Sequence, residues 1–76
     1  MLGCKVFTES YTHARKAVKI LEGYGYKCRI KRTTDTRVEG CGFVIVINGD
    51  CTSVSDILVS SGIPYKKLEN LRRYEE

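Results

Sequence analysis

Apolar positions recur along this chain with two different periods, and the changes of period mark its elements. Tyr11, Ala14, Ala17, Val18 and Leu21 fall on one face at helical spacing, while Arg15, Lys16, Lys19 and Glu22 take the opposite face. This predicts a helix over about residues 10–22. Ser10 is its expected N-cap, because a serine hydroxyl accepts from an orphan N–H of the first turn, and Gly23 its expected left-handed stop. Tyr24 and Gly25 make a turn. Residues 26–32 then alternate strictly, with Tyr26, Cys28 and Ile30 on one side and Lys27, Arg29 and Lys31 on the other. That is the pattern of a half-buried strand with a basic outer face. Residues 4–8 read as a short first strand. Residues 33–40 are polar and aperiodic and read as a loop. Phe43 to Ile47 is apolar on both faces, as in a central strand. Asn48-Gly49-Asp50 is a turn signal. Thr52 or Ser53 is the expected cap of a second helix, since Ser53 with Asp56 resembles a capping box. Val54, Ile57 and Leu58 form its apolar face, and Gly62 ends it. Ile63-Pro64 leads to a last strand near residues 65–68.

The order is β-α-β-β-α-β, which predicts an α+β, ferredoxin-like split βαβ sandwich. The expected architecture is a four-stranded antiparallel sheet of order 4-1-3-2 with both helices on one face. Within it, strands 1 and 3 are read as parallel neighbours and strand 2 as antiparallel to strand 3. A chain of 76 residues holds one such domain, residues 1–76, with an ordered core of about 3–69 and a frayed tail over 70–76.

Composition narrows the function classes. Apolar residues make up 42% and charged residues 29%, an ordinary globular balance. No stretch approaches the ~18 consecutive apolar residues of a membrane helix, and the N-terminus has no signal-peptide pattern. A cytoplasmic home is therefore the expectation, and no membrane partner. The net charge of +4 permits an acidic or phosphate-bearing partner without demanding one. There is no phosphate-binding glycine loop, nucleophilic triad or paired-carboxylate site. His13 reads as a surface or boundary histidine.

The chemistry rests on four cysteines, Cys4, Cys28, Cys41 and Cys51. In a reducing compartment these are expected as thiols rather than structural disulfides. Their spacing lacks the paired knuckles of a structural zinc site, so no metal or other cofactor is expected. Cys41 stands out, because Gly40 and Gly42 flank it, leave its backbone bare and remove side chains that would shield the sulfur. A reactive thiolate needs such access and a local positive potential, for which Arg37 and Arg32 are candidates. A small apolar residue at a strand start is the plainer reading. If strands 1 and 3 are parallel, Cys4 lies at the same end as Cys41 and could serve as a resolving thiol; otherwise it is a half-exposed strand residue. Cys28 shares the inward parity of Tyr26 and Ile30 and reads as core. Cys51 precedes a helix N-terminus, which can lower a thiol pKa.

The helix segment Ala14-Arg15-Lys16-Ala17-Val18-Lys19-Ile20-Leu21 followed by Gly25, then Gly40-Cys41-Gly42-Phe43 entering a strand, then Ile57-Leu58 and Gly62-Ile63, resembles the small bacterial selenium/sulfur carrier-like family, a domain of unknown function. The resemblance covers about residues 4–68. It implies a protein that holds sulfur or selenium on Cys41, as a persulfide or selenopersulfide, for delivery to a partner enzyme; with no turnover chemistry visible in the residues, a protein that is not an enzyme is the expectation. The implied partners are donor and acceptor proteins, with a cysteine desulfurase as the type of donor. Longer members carry a Pro-Arg pair in the loop before the cysteine; here Thr36-Arg37 stands there at a shorter spacing.

Two other functions compete. One is a binding or regulatory module, for a ligand, a protein or single-stranded nucleic acid, using Lys27, Arg29 and Lys31 with Phe7, Val44 and Val46 on an open sheet face. Cations on an edge strand also discourage edge pairing, and stacking aromatics are few, so nucleic acid is not the expected partner. The other is a structural homodimer that buries Val44 and Val46.

Overall fold

A computed structural model describes residues 3–32 and 42–71 of the chain. It has six elements: β1 (Gly3–Thr8), α1 (Tyr11–Gly23), β2 (Cys28–Arg32), β3 (Phe43–Ile47), α2 (Cys51–Ser60) and β4 (Lys67–Leu71). The strands form one sheet of order β2-β3-β1-β4, and every neighbouring pair is antiparallel. The fold is the ferredoxin-like α+β arrangement that the element order predicts.

One expectation is corrected. β1 and β3 are antiparallel, with Cys4 opposite Ile47 and Thr8 opposite Phe43. The reason is the connectivity. The α1 crossover returns the chain in the direction of β1, and the following reversal between β2 and β3 inverts it. Cys4 therefore stands at the end of the sheet where β3 finishes, and Gly42 at the end where β3 begins.

The core lies between the sheet and the two helices. Cys4, Val6, Ile45 and Ile47 pack with Ala14, Ala17 and Leu21 of α1 and with Cys51, Val54 and Leu58 of α2. This set contains alternate residues of β1 and β3, as a pleated sheet with one helix-covered face requires. Small alanines on α1 allow a close approach to the sheet, and branched residues on β3 fill the space they leave.

The caps refine three boundaries. Ser10 caps α1 as expected, its hydroxyl accepting from the His13 N–H at 3.2 Å. α1 runs through Gly23, and the left-handed residue is Gly25 (φ 93°) rather than Gly23. α2 is capped by Asp50, whose carboxylate accepts from the Ser53 N–H at 2.7 Å. Asp50 thus ends the turn and begins the helix, a position that carboxylates fill as well as hydroxyls. Gly62 (φ 71°) follows α2 in the left-handed conformation expected of it. β4 begins later than the sequence pattern suggests: residues 65 and 66 precede it, with the Lys66 N–H donating to the Phe7 carbonyl at 2.7 Å.

Gly49 is required for a packing reason. A Cβ placed there would overlap the ring of Tyr26, which packs against the core. Gly49→Ala is expected to cost about 1–3 kcal/mol, because the ring must leave its place. Urea unfolding of the two proteins checks this; equal midpoints would show that the ring moves freely.

Candidate functional site

The antiparallel sheet decides which cysteines meet. Cys4, near the start of β1, lies beside the end of β3. The turn through Asn48 and Asp50 then folds the first residue of α2 back over it. Cys4 and Cys51 are joined by a disulfide, with a Cα separation of 5.1 Å. Both are buried, Cys4 completely and Cys51 with 7% of its surface exposed. This corrects two expectations. The cysteines are not all thiols, and Cys4 is a core residue bonded to Cys51, not a half-exposed residue available to resolve Cys41. The missed pairing followed from the wrong direction given to β3. With β1 and β3 antiparallel, the residue following the β3 turn is the natural neighbour of Cys4.

Cys28 is a free, half-buried thiol that packs against the core, in agreement with the parity of β2. Burial, with a smaller contribution from the nearby Glu22 carboxylate, pushes its pKa up to about 11. Both causes act on the thiolate: one removes its solvation and the other adds a like charge. Cys28 is therefore almost entirely a neutral thiol at physiological pH.

Gly40, Cys41 and Arg37 lie outside the described residues, and Gly42 is the described neighbour of Cys41. Its N–H donates to the Thr8 carbonyl at 3.1 Å, extending the β1–β3 ladder by one bond. Thr8 is itself fully buried, its hydroxyl donating to the Ser10 carbonyl at 3.3 Å. The chain is thus held to the sheet immediately after Cys41. Gly42 does not use the left-handed conformation; among the described glycines only Gly25 and Gly62 do. A Cβ at Gly42 would meet the Glu9 carbonyl oxygen at 3.5 Å, an ordinary contact. Neither backbone conformation nor packing demands a glycine there. What the glycine does provide is the absence of a side chain beside Cys41.

Register places Lys5, Arg29, Lys31, Lys67 and Glu69 on the face away from the helices, around Phe7, Val44 and Val46. The three apolar residues are only 3%, 7% and 3% exposed. Phe7 offers no ring face for a base to stack on, and Val44 and Val46 form no exposed apolar patch for a second subunit. Arg29 and Lys31 are exposed, as the alternation of β2 predicts. Arg32, the last residue of β2, sits opposite Phe43, at the same end of the sheet as Gly42. It is exposed and contributes a positive charge to that end.

Among the described residues no group of three or more His, Cys, Asp or Glu side chains is placed to hold a metal ion, and no helix is long and apolar enough to cross a membrane. His13 is half-buried on α1. No protein-family model, curated protein or solved structure matches the chain.

Proposed function

We propose that the protein is a sulfur or selenium carrier with Cys41 as the acceptor thiol. The observation that carries this reading is the state of the other three cysteines. Cys4 and Cys51 are bonded to each other, and the Cys28 pKa is pushed up to about 11. Thiolate chemistry at neutral pH therefore falls to Cys41. The flanking Gly42, which the fold does not require, supports the same reading, as does the family resemblance of the Gly40-Cys41-Gly42-Phe43 segment. Gly40 and Arg37 belong to that segment and are proposed as supporting residues.

The transfer needs no cofactor. A donor of the cysteine desulfurase type presents a persulfide, R–S–S⁻. The Cys41 thiolate attacks its terminal sulfur, the donor S–S bond breaks, and the donor cysteine leaves as a thiolate. Cys41 then carries the sulfane sulfur as its own persulfide. No external oxidant is consumed, since the bond formed replaces the bond broken. Delivery is the same exchange with an acceptor thiolate. The protein turns nothing over by itself, so it is a carrier rather than an enzyme.

Alkylation order tests the assignment. With iodoacetamide at pH 7.5, Cys41 is expected to label at least about tenfold faster than Cys28, because so little of the Cys28 thiol is ionised. The Cys28 rate should climb with pH towards 11, and peptide mapping reads both sites. Equal rates, or Cys28 labelled first, would remove the basis for choosing Cys41.

A further inference from the structure

Among the described residues a groove lies apart from the Cys4–Cys51 disulfide, floored by the edge of the core at Ile20 and Ile63. It runs between α1 and residues 61–66, the connection from α2 to β4. Its larger hollow, about 450 Å³, has His13, Lys16 and Lys19 along one side and Ile20, Ile63 and Pro64 as its apolar lining. A second hollow of about 140 Å³ shares His13 and Pro64 and continues to Glu9 and Lys66. Glu9 is paired with Lys66 at 3.4 Å, so its charge is already answered. The larger hollow has no acidic lining residue. Glu9, which lines the second hollow, is also a neighbour of Gly42: its carbonyl oxygen is 3.5 Å from the Gly42 Cβ position.

We infer that this groove is the docking site for a partner protein, which lays an acidic segment with apolar anchor residues between α1 and residues 61–66. Three features specify that occupant. Lys16 and Lys19 stand one helical turn apart on α1, so two cations line the same edge of the groove. The two hollows share His13 and Pro64 in their linings, so they are neighbours on one surface, which suits an extended chain better than a compact ligand. The lining is apolar beneath a basic edge, the combination that anchors amphipathic segments and steers acidic ones. The groove deepens the carrier reading and rests on it for its purpose. A partner seated along both hollows comes to Glu9, a neighbour of Gly42, where a sulfur donor or acceptor has to reach.

The test separates the groove from the chemistry by using the full chain with Cys41→Ser, which binds without loading. The probe is a fluorescent eight-residue peptide of alternating Glu and Leu, followed by anisotropy and by amide chemical shifts. Shifts are expected in residues 13–20 and 61–66. The double variant Lys16→Glu/Lys19→Glu should weaken binding by about tenfold, the effect of reversing two exposed charges that face an acidic ligand. Lys27→Glu/Arg29→Glu removes the same net charge at and just before β2 and should change binding less than about twofold, since those charges lie away from the ligand. All four positions are exposed, and circular dichroism verifies that both variants fold. Equal losses in the two variants would show attraction to net charge alone and overturn the groove. Absence of binding, or displacement of the peptide by millimolar inorganic phosphate, would overturn a peptide-docking site. Peptide binding together with failure of the wild-type chain to take up sulfur would leave the groove standing and sink the carrier reading. Sulfur uptake that is unchanged in Lys16→Glu/Lys19→Glu would remove the groove from the transfer.

Discussion

Reducing the Cys4–Cys51 bond is expected to lower stability by about 4 kcal/mol. The bond joins residues 47 positions apart, so breaking it releases a long loop in the unfolded chain. The loop-entropy relation gives about 3 kcal/mol for a 15-residue loop and about 4.7 for a 100-residue one. Domains of this size are stable by only about 5–15 kcal/mol, so this single bond holds a large share of the total. Converted at roughly 4–8 °C per kcal/mol, the melting temperature should fall by about 15–30 °C. The packing of the folded state changes little, because both sulfurs lie in the core and a buried thiol behaves as a small apolar group. The measurement is thermal unfolding by circular dichroism, with and without a phosphine reductant. A Cys4→Ala/Cys51→Ala variant should melt near the reduced protein and ignore the reductant. Superimposable melts of oxidised and reduced wild type would show that the bond contributes nothing to stability.

Much of the fold was legible because its core is regular. The spacing of Ala14, Ala17 and Leu21 located α1 and its buried face. The strict alternation from Tyr26 to Arg32 located β2, and the unbroken apolar run of β3 marked a central strand. Ile45 and Ile47 do face the helices while Val44 and Val46 lie buried on the other side. The boundaries were harder where one residue serves two purposes. Asp50 closes a turn and caps α2, so a turn signal concealed a helix start. The last strand was expected near residues 65–68 but lies at Lys67–Leu71, because Lys-Leu-Glu-Asn-Leu has a weak strand pattern of its own and is placed by pairing with β1.

The disulfide was not legible, and the reason is physical. Spacing along the chain carries no information on which of the four cysteines meet; strand direction does. Once β3 is set antiparallel to β1, Cys4 and Cys51 come to the same end of the sheet. Cys41 is a different case. Its neighbouring glycines and the family resemblance are features of sequence, and Cys41 itself lies outside the described residues. What the structure adds is the condition of the three cysteines around which the choice is made, and the anchoring of Gly42 to Thr8.

Cys41→Ser is expected to abolish sulfur loading completely while leaving the melting temperature of the oxidised protein within a few degrees of wild type. In the proposed transfer Cys41 is the one nucleophile, so its loss should have no partial substitute; Cys28 is held as a neutral thiol by burial and by Glu22. The Cys4→Ala/Cys51→Ala variant, by contrast, should still load, because neither bonded sulfur takes part. Intact mass after incubation with a cysteine desulfurase and cysteine reads all three proteins directly. Wild type and the double alanine variant should gain one sulfur, about 32 Da, that a reductant removes, as expected of a persulfide, and Cys41→Ser should gain none. The same gain in Cys41→Ser, or no gain in wild type, would contradict Cys41 as the acceptor.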